Sequence, residues 1–162
     1  MHDWEFAEFE RRHEAMLRSH VERCLQDIWG VPELVVDEDG DYHFRHGTAA
    51  CWVSLDGTAG DGVRVIANAA VGLKPSARLL REVNDLNVGA RWVRVTLNRG
   101  IVHVSRELHW TAVERMPLQQ AIHGVGSVAD HIGLLLASVH GGQTPFPAQP
   151  TEQDSATDEG AA

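Results

Sequence analysis

The hydrophobic period changes once near the start of this 162-residue chain, and that change constrains the fold more than any other feature. From residue 3 to 29, Phe6, Phe9, His13, Met16, Leu17, His20, Val21, Cys24, Leu25 and Ile28 recur at three- and four-residue spacing. They define one stripe of a long amphipathic helix, with Glu8, Arg11, Arg12, Glu14, Arg18, Glu22 and Arg23 on the other side. Gly30 and Pro32 stop it. Beyond them the period is two. Leu34–Glu38 and Asp41–His46 flank Asp39-Gly40, which reads as a two-residue hairpin turn with positive φ at both positions. Ala49–Leu55 and Val63–Val71 alternate in the same way, separated by the glycine-rich loop Asp56–Gly62.

A second helix is expected from Pro75 to just before Gly89, burying Leu79, Leu80, Val83 and Leu86. Strands Arg91–Leu97 and Ile101–Glu107 come next, joined by a three-residue loop, Asn98-Arg99-Gly100. The last helix runs from Pro117 to about His140, with Leu118, Ile122, Val125, Val128, Ile132, Leu135 and Val139 inward. Gly124, Gly126 and Gly133 lie inside it and mark either close packing or a kink near Gly126. The expected fold is α+β, in the order α-β-β-β-β-α-β-β-α. Consecutive hairpins imply an antiparallel β-sheet, and the helices cover one of its faces. Residues 1–142 form one domain, and 143–162 read as a disordered acidic tail rich in Pro, Gln and Thr.

Alternation alone also names the residues on the opposite face of the sheet. They are His43 and Arg45; Ala50, Trp52 and Ser54; Arg64, Ile66 and Asn68; Trp92, Arg94 and Thr96; His103 and Ser105. A solvent-only face rarely carries two tryptophans, and a second core would not hold three arginines unpaired. Trp and Arg together are the composition of a protein–protein interface. Trp52, Arg64, Ile66, Trp92, Arg94 and His103 are therefore the candidate protein- or peptide-binding or dimer face. The competing explanation is that the tail, or a helix on that side, covers the two tryptophans.

Charge narrows the partners. The net charge is -9, and Glu152, Asp154, Asp158 and Glu159 fall in a tail without Lys or Arg. The body stays acidic as well, which repels nucleic acid and anionic lipid. No run approaches the roughly 18 apolar residues of a membrane span, and Met1-His2-Asp3-Trp4-Glu5-Phe6 lacks the pattern of a signal peptide. Cytoplasmic localisation is expected. Cys24 and Cys51, on a helix and a strand, read as buried hydrophobes.

Catalytic and metal motifs are sparse. His43 and His46 fall on opposite faces of a strand, and His13 and His20 stand two helical turns apart. Asp37–Asp41 has some likeness to a calcium loop but lacks the later glutamate, and reads better as a charged turn. Gly124-Val125-Gly126-Ser127 sits in a helical pattern and is no nucleophile elbow. The expectation is a non-enzyme without cofactor or metal.

The segment Leu79-Leu80-Arg81-Glu82-Val83-Asn84-Asp85-Leu86-Asn87 resembles the LL-x-x-x-N-x-L-N helix of YbjN-type domains, which belong with the type III secretion chaperones. The subsequent hairpin and a C-terminal helix with Ala129-Asp130 fit the same pattern. Gly40-Asp41-Tyr42 and Gly47-Thr48-Ala49 are similar to strand openings in actinobacterial members. The resemblance spans residues 5–141. It implies a type III secretion chaperone-like α+β fold, usually a homodimer, without catalysis, that holds a partner polypeptide. It singles out Asn84 and Asn87, and for Asn87, beside Gly89, a structural role is favoured. Peptide binding of this kind is the expected function, with a domain that binds a small apolar ligand as the alternative.

Overall fold

A computed structural model of the protein describes residues 3–55 and 62–148, with side chains from residue 8 onward. Helix α1 spans Asp3–Trp29 and is succeeded by strands β1 (Tyr42–His46), β2 (Ala49–Leu55) and β3 (Gly62–Ala70). Helix α2 (Ala77–Gly89) leads into β4 (Arg94–Asn98) and β5 (Ile101–His109). A short 3-10 turn at Trp110–Ala112 then opens into α3 (Arg115–His140). The five strands form one antiparallel sheet in the order β1-β2-β3-β5-β4. The elements keep the expected order with one difference: Leu34–Glu38 is loop and turn, not a strand.

The turns explain that difference. The Asp37 carboxylate accepts the backbone N–H groups of Asp39 and Asp41, both at 2.9 Å, and also meets the His43 ring. Those bonds hold Asp37 well below the usual carboxylate range, the Asp41 N–H contributing most. They also close a local loop where a hairpin strand was expected. Only Gly40 has positive φ there. The turn with two positive φ values is instead Arg99-Gly100, so Asn98 pairs directly with Ile101 and the last hairpin has a two-residue loop. The loop expected at Asp56–Gly62 lies, apart from Gly62, outside the described residues.

One face of the sheet carries the core: Ala49, Cys51, Val53, Val63, Val65, Ala67, Ala69, Val95, Val102 and Val104 are all buried. Leu17, Val21, Cys24 and Leu25 of α1 and Leu79 and Val83 of α2 join them. Each buried valine or leucine among them contributes about 1.5–3 kcal/mol by leaving water. Both cysteines are buried free thiols, and burial pushes Cys51 up to about 12, so neither is a ready nucleophile at neutral pH. The predicted stripes run longer than the core. Phe9 (66%) and Met16 (74%) of α1, Leu80 of α2, and Leu135 and Val139 of α3 are exposed; Met16, Leu80 and Leu135 each adjoin a buried leucine and sit at the outer edge of their stripe.

Helix α3 is long and apolar enough, by length and composition, to cross a membrane. Its Leu118, Ala121, Ile122, Val125, Ala129, Ile132 and Leu136 are instead buried in this core. Its interior glycines do not break it. A Cβ on Gly133 would stand 2.3 Å from the Ala69 carbonyl oxygen, and one on Gly126 would stand 2.6 Å from the His46 ring. A Cβ on Gly124 would meet nothing within 4 Å. Asp130, one turn before Gly133, accepts the Thr48 N–H at 2.7 Å and the Thr48 hydroxyl at 2.8 Å. The same carboxylate leaves no room for a Cβ on Gly47, whose φ is +56°. Helix α1 is tied down in a similar way. The buried Tyr42 hydroxyl donates to Glu22 at 2.7 Å and accepts from Arg18, which also donates to the Gly40 carbonyl. Burial is the main reason its phenol is pushed up to about 12.

The segment after α3 turns back across the end of the sheet. Val71 and Gln143 exchange backbone hydrogen bonds at 2.8 and 3.0 Å, and Phe146 N–H donates to the Thr48 carbonyl at 3.0 Å. Gln143–Ala148, which composition assigns to the tail, thus pack on the body; residues 149–162 lie outside the described residues.

The seat of α3 can be tested at its glycines and at Asp130. Gly133→Ala loses about 1–3 kcal/mol of unfolding free energy through overpacking, whereas Gly124→Ala gains up to about 1 kcal/mol; urea denaturation reads both. The hydrogen bonds from Thr48 depress the Asp130 pKa, so its contribution is complete above the unfolded value near 4 and disappears as pH falls through the lower folded value. Asp130→Asn therefore costs about 1–2 kcal/mol at neutral pH, discounted for partial exposure. The gap from wild type closes below about pH 4.

Candidate functional site

The strand register lays the outer face out in rows. One row reads His43, Trp52, Ile66, Ser105, Arg94 across β1, β2, β3, β5 and β4. The next reads Arg45, Ala50, Asn68, His103, Thr96. Trp52 and Ile66 are half-buried side by side, which is what cross-strand pairing of large apolar residues produces. The His43 ring stacks on Trp52 with centroids 5.9 Å apart. Trp52, Arg64, Ile66, Arg94, His103, Thr96, Ser105 and Glu107 line a shallow hollow of about 300 Å³. Five of the six residues singled out on this face therefore stand together.

Trp92 is placed differently. β4 starts at Arg94, so Trp92 belongs to the preceding segment and is 73% exposed. Its ring sits 5.8 Å from the Arg106 guanidinium. It lines an adjoining hollow of about 490 Å³ that shares Arg94, Ser105 and Glu107 with the first. Strand alternation could not place it, because no ladder hydrogen bonds fix its side.

The charges of the face are mainly positive. Arg64 pairs with Glu107 at 3.2 Å, both partly exposed, which makes this a weak surface pair. Arg45 and Arg94 add two further cations. Burial lowers the His103 pKa, so its ring is neutral at pH 7 and acts as a polar aromatic surface. Asn68 Oδ1 is buried without a hydrogen-bond partner among the described residues. Groups of three or more His, Cys, Asp or Glu side chains able to hold a metal ion are not found among the described residues. The face offers apolar rings, guanidinium groups and open hydrogen-bonding atoms.

The two asparagines of the α2 motif have different settings. Asn87 Nδ2 donates to the Val83 and Val95 carbonyls at 3.2 and 2.6 Å, while its Oδ1 accepts the Val95 N–H at 2.8 Å. It therefore welds the end of α2 to the start of β4. Asn84 is exposed on α2.

Two surfaces were missed by sequence reasoning. Phe9, His13 and Trp110 form an exposed aromatic run, with His13 stacked on Phe9 and edge-on to Trp110 at 4.9 Å. An open trough of about 520 Å³ runs between α2, β4 and α3, walled by Leu86, Val95, Val128, Ile132, Leu135 and Leu136. Helical periodicity treats Phe9, His13, Leu86, Val128, Ile132 and Leu135 as core; only tertiary packing decides which of them stay uncovered.

A five-stranded antiparallel sheet, covered by helices on one side and open on the other, defines an α+β protein of the type III secretion chaperone class, and comparison with known proteins agrees. The chain belongs to the family described as TY-Chap1, the T3SS (YopN, CesT) and YbjN peptide-binding chaperone 1, which matches residues 15–148. Among solved structures it is similar to a chain of the ExsC–ExsE complex, at a TM-score of 0.58 and 14% identity, covering 75% of this chain and 94% of that one. It is also similar to a chain of the HopA1–SchA chaperone–effector complex, at 0.58 and 13%, covering 73% and 93%. A third likeness is to a chain of the Yersinia pestis type III secretion chaperone SycH in complex with a fragment of YscM2, at 0.52 and 12%, covering 72% and 98%. At these identities the likeness establishes the fold. Among curated proteins, no relative matches the chain by sequence.

The setting of Asn87 predicts that Asn87→Ala loses about 1–3 kcal/mol by orphaning Val95 N–H. Asn84→Ala changes stability by less than about 0.5 kcal/mol. Thermal or urea unfolding separates the two.

Proposed function

We propose that the protein is a non-catalytic, cytoplasmic peptide-binding chaperone that acts as a homodimer and holds a protein client on the outer face of its sheet. The client contacts are Trp52, Ile66, Arg64, Arg94, His103 and Trp92. The observation that carries this reading is the Trp52–Ile66 pair, left uncovered opposite the helices and flanked by arginines. Buried aromatic and arginine anchors dominate binding energy at interfaces. The family description and the chaperone–effector setting of a structural neighbour support a polypeptide as the occupant. Holding a chain requires neither metal nor cofactor.

The trough between α2 and α3 supports self-association, since Leu135 lines it and Leu134 and Val139 stand exposed on the same helix. The same trough gives the second reading, a small apolar ligand, its one favourable observation: its volume falls within the range of ligand pockets. It lies between β4 of the sheet and two helices, but it is open to the surface and not an enclosed cavity.

The test uses the full-length protein as bait in lysate of its source cell, beside the Trp52→Ser/Trp92→Ser variant. The expected result is one polypeptide captured in near-stoichiometric amount and lost from the variant. Each anchor is worth about 2 kcal/mol, roughly thirtyfold in affinity. Circular dichroism of the variant should match wild type, because neither ring belongs to the core. Equal capture by a folded variant removes the face from the mechanism, and an unfolded variant shows that the rings are structural.

A further inference from the structure

The chain leaves the folded body at the corner of this same outer face. Arg45, an outer-face residue of β1, donates from Nε to the Gly47 carbonyl at 2.7 Å and from Nη2 to the Pro147 carbonyl at 3.1 Å. Its guanidinium carbon lies 4.6 Å from the centre of the Phe146 ring. Together with the Phe146–Thr48 and Gln143–Val71 backbone bonds, these contacts turn the segment after α3 around the end of the sheet. Ala148 is thereby delivered next to the row Arg45, Ala50, Asn68, His103, Thr96.

The chain beyond Ala148 is complementary in charge to the sheet face ahead of it. Residues 149–162 carry Glu152, Asp154, Asp158 and Glu159, with no Lys or Arg. The face ahead carries Arg64 and Arg94 against Glu107. Reach is sufficient. The six residues from Ala148 to Asp154 span about 20 Å when extended. The four inter-strand steps from β1 to β4 span about 19 Å. Asn68 Oδ1, buried in the row beside Arg45 without a partner among the described residues, is an acceptor that a backbone N–H laid across the face would satisfy.

From this placement we propose that the acidic segment 149–162 docks in cis on the outer sheet face, along Asn68, Trp52 and Ile66 towards Arg64 and Arg94, as a built-in competitor of the client. The proposal deepens the reading of that face as the client site. The segment shields Trp52 and Ile66 while the protein is empty, and a client displaces it. Surface ion pairs are individually weak, so the occupant stays exchangeable. If the segment covers the face about four-fifths of the time, its removal tightens client binding about fivefold.

The test compares full-length wild type with the full-length Glu152→Gln/Asp154→Asn/Asp158→Asn/Glu159→Gln variant, both ¹⁵N-labelled, by NMR at about 50 mM salt, where screening is weak. Docking shifts the amide and side-chain N–H signals of Trp52, Asn68, Arg64, Arg94 and His103 between the two proteins. Those differences collapse at about 0.5 M salt and do not depend on protein concentration, as an intramolecular contact requires. Differences confined to residues 143–162, or gathered on α1 or in the α2–α3 trough, overturn the proposal. So does a difference that grows with concentration, which marks contact between copies. No client enters this measurement, so its result is separable from the capture experiment. Shifts on the face with equal capture by the tryptophan variant keep the docking and remove the client site; the reverse pattern does the opposite.

Discussion

The structure depends on how closely α3 approaches β3. Gly133 lies against the Ala69 carbonyl and Gly126 against the His46 ring, leaving no space for a methyl group at either position. Ala67, Ala69 and Ala70 supply the flat strand surface opposite. A helix seated this deeply excludes water from the inner face without large side chains on the sheet, and interiors packed at that density tolerate little change of volume. The Asp130–Thr48 hydrogen bonds then fix the position of α3 along its axis. Because α1, α2 and α3 all gather on this inner side, no helix among the described residues covers the other.

Much of this arrangement was legible because alternation is rigid. Once Val63, Val65, Ala67 and Ala69 are inward, Arg64, Ile66 and Asn68 have no choice of side, and antiparallel neighbours carry the assignment across the sheet. The reading fails where that constraint lapses. Trp92 precedes the first ladder pair of β4, so its side is set by contact with Arg106 instead. Leu34–Glu38 has strand-like composition, but the Asp37 side chain competes for the backbone N–H groups a hairpin partner would use. Met16, Leu80 and Leu135 lie at the margin of helical stripes whose centres are buried, and periodicity has no term for how wide a face the partner element covers.

Several residues behind the family resemblance are scaffold, though Asn84 stands exposed on α2. Gly40 and Tyr42 engage Arg18 and thereby α1; Gly47 and Thr48 engage Asp130 and thereby α3; Asn87 joins α2 to β4. Each ties a helix to the sheet with polar atoms at the rim of the core, where a misplaced donor is costly. None of them lies in the hollow that Trp52 and Arg94 line. A motif of this type can identify a fold while saying nothing about the surface that works.

The open face also carries a physical liability. Trp52 and Ile66 on an otherwise polar sheet are the kind of apolar patch that associates unselectively. Its ring of arginines restrains self-contact through like charge, while Glu107 holds one of them locally. Such a surface discriminates by charge: an acidic or amphipathic chain gains both ring contacts and guanidinium hydrogen bonds, and a basic one forfeits the second. The anchoring of Phe146 and Pro147 on Arg45 supplies a chain of the favoured sign at high local concentration. If the outer face holds the client and the tail competes for it, as proposed, a client must offer more apolar contact than the tail can, and that requirement selects for exposed hydrophobic segments, the feature that marks a polypeptide in need of holding.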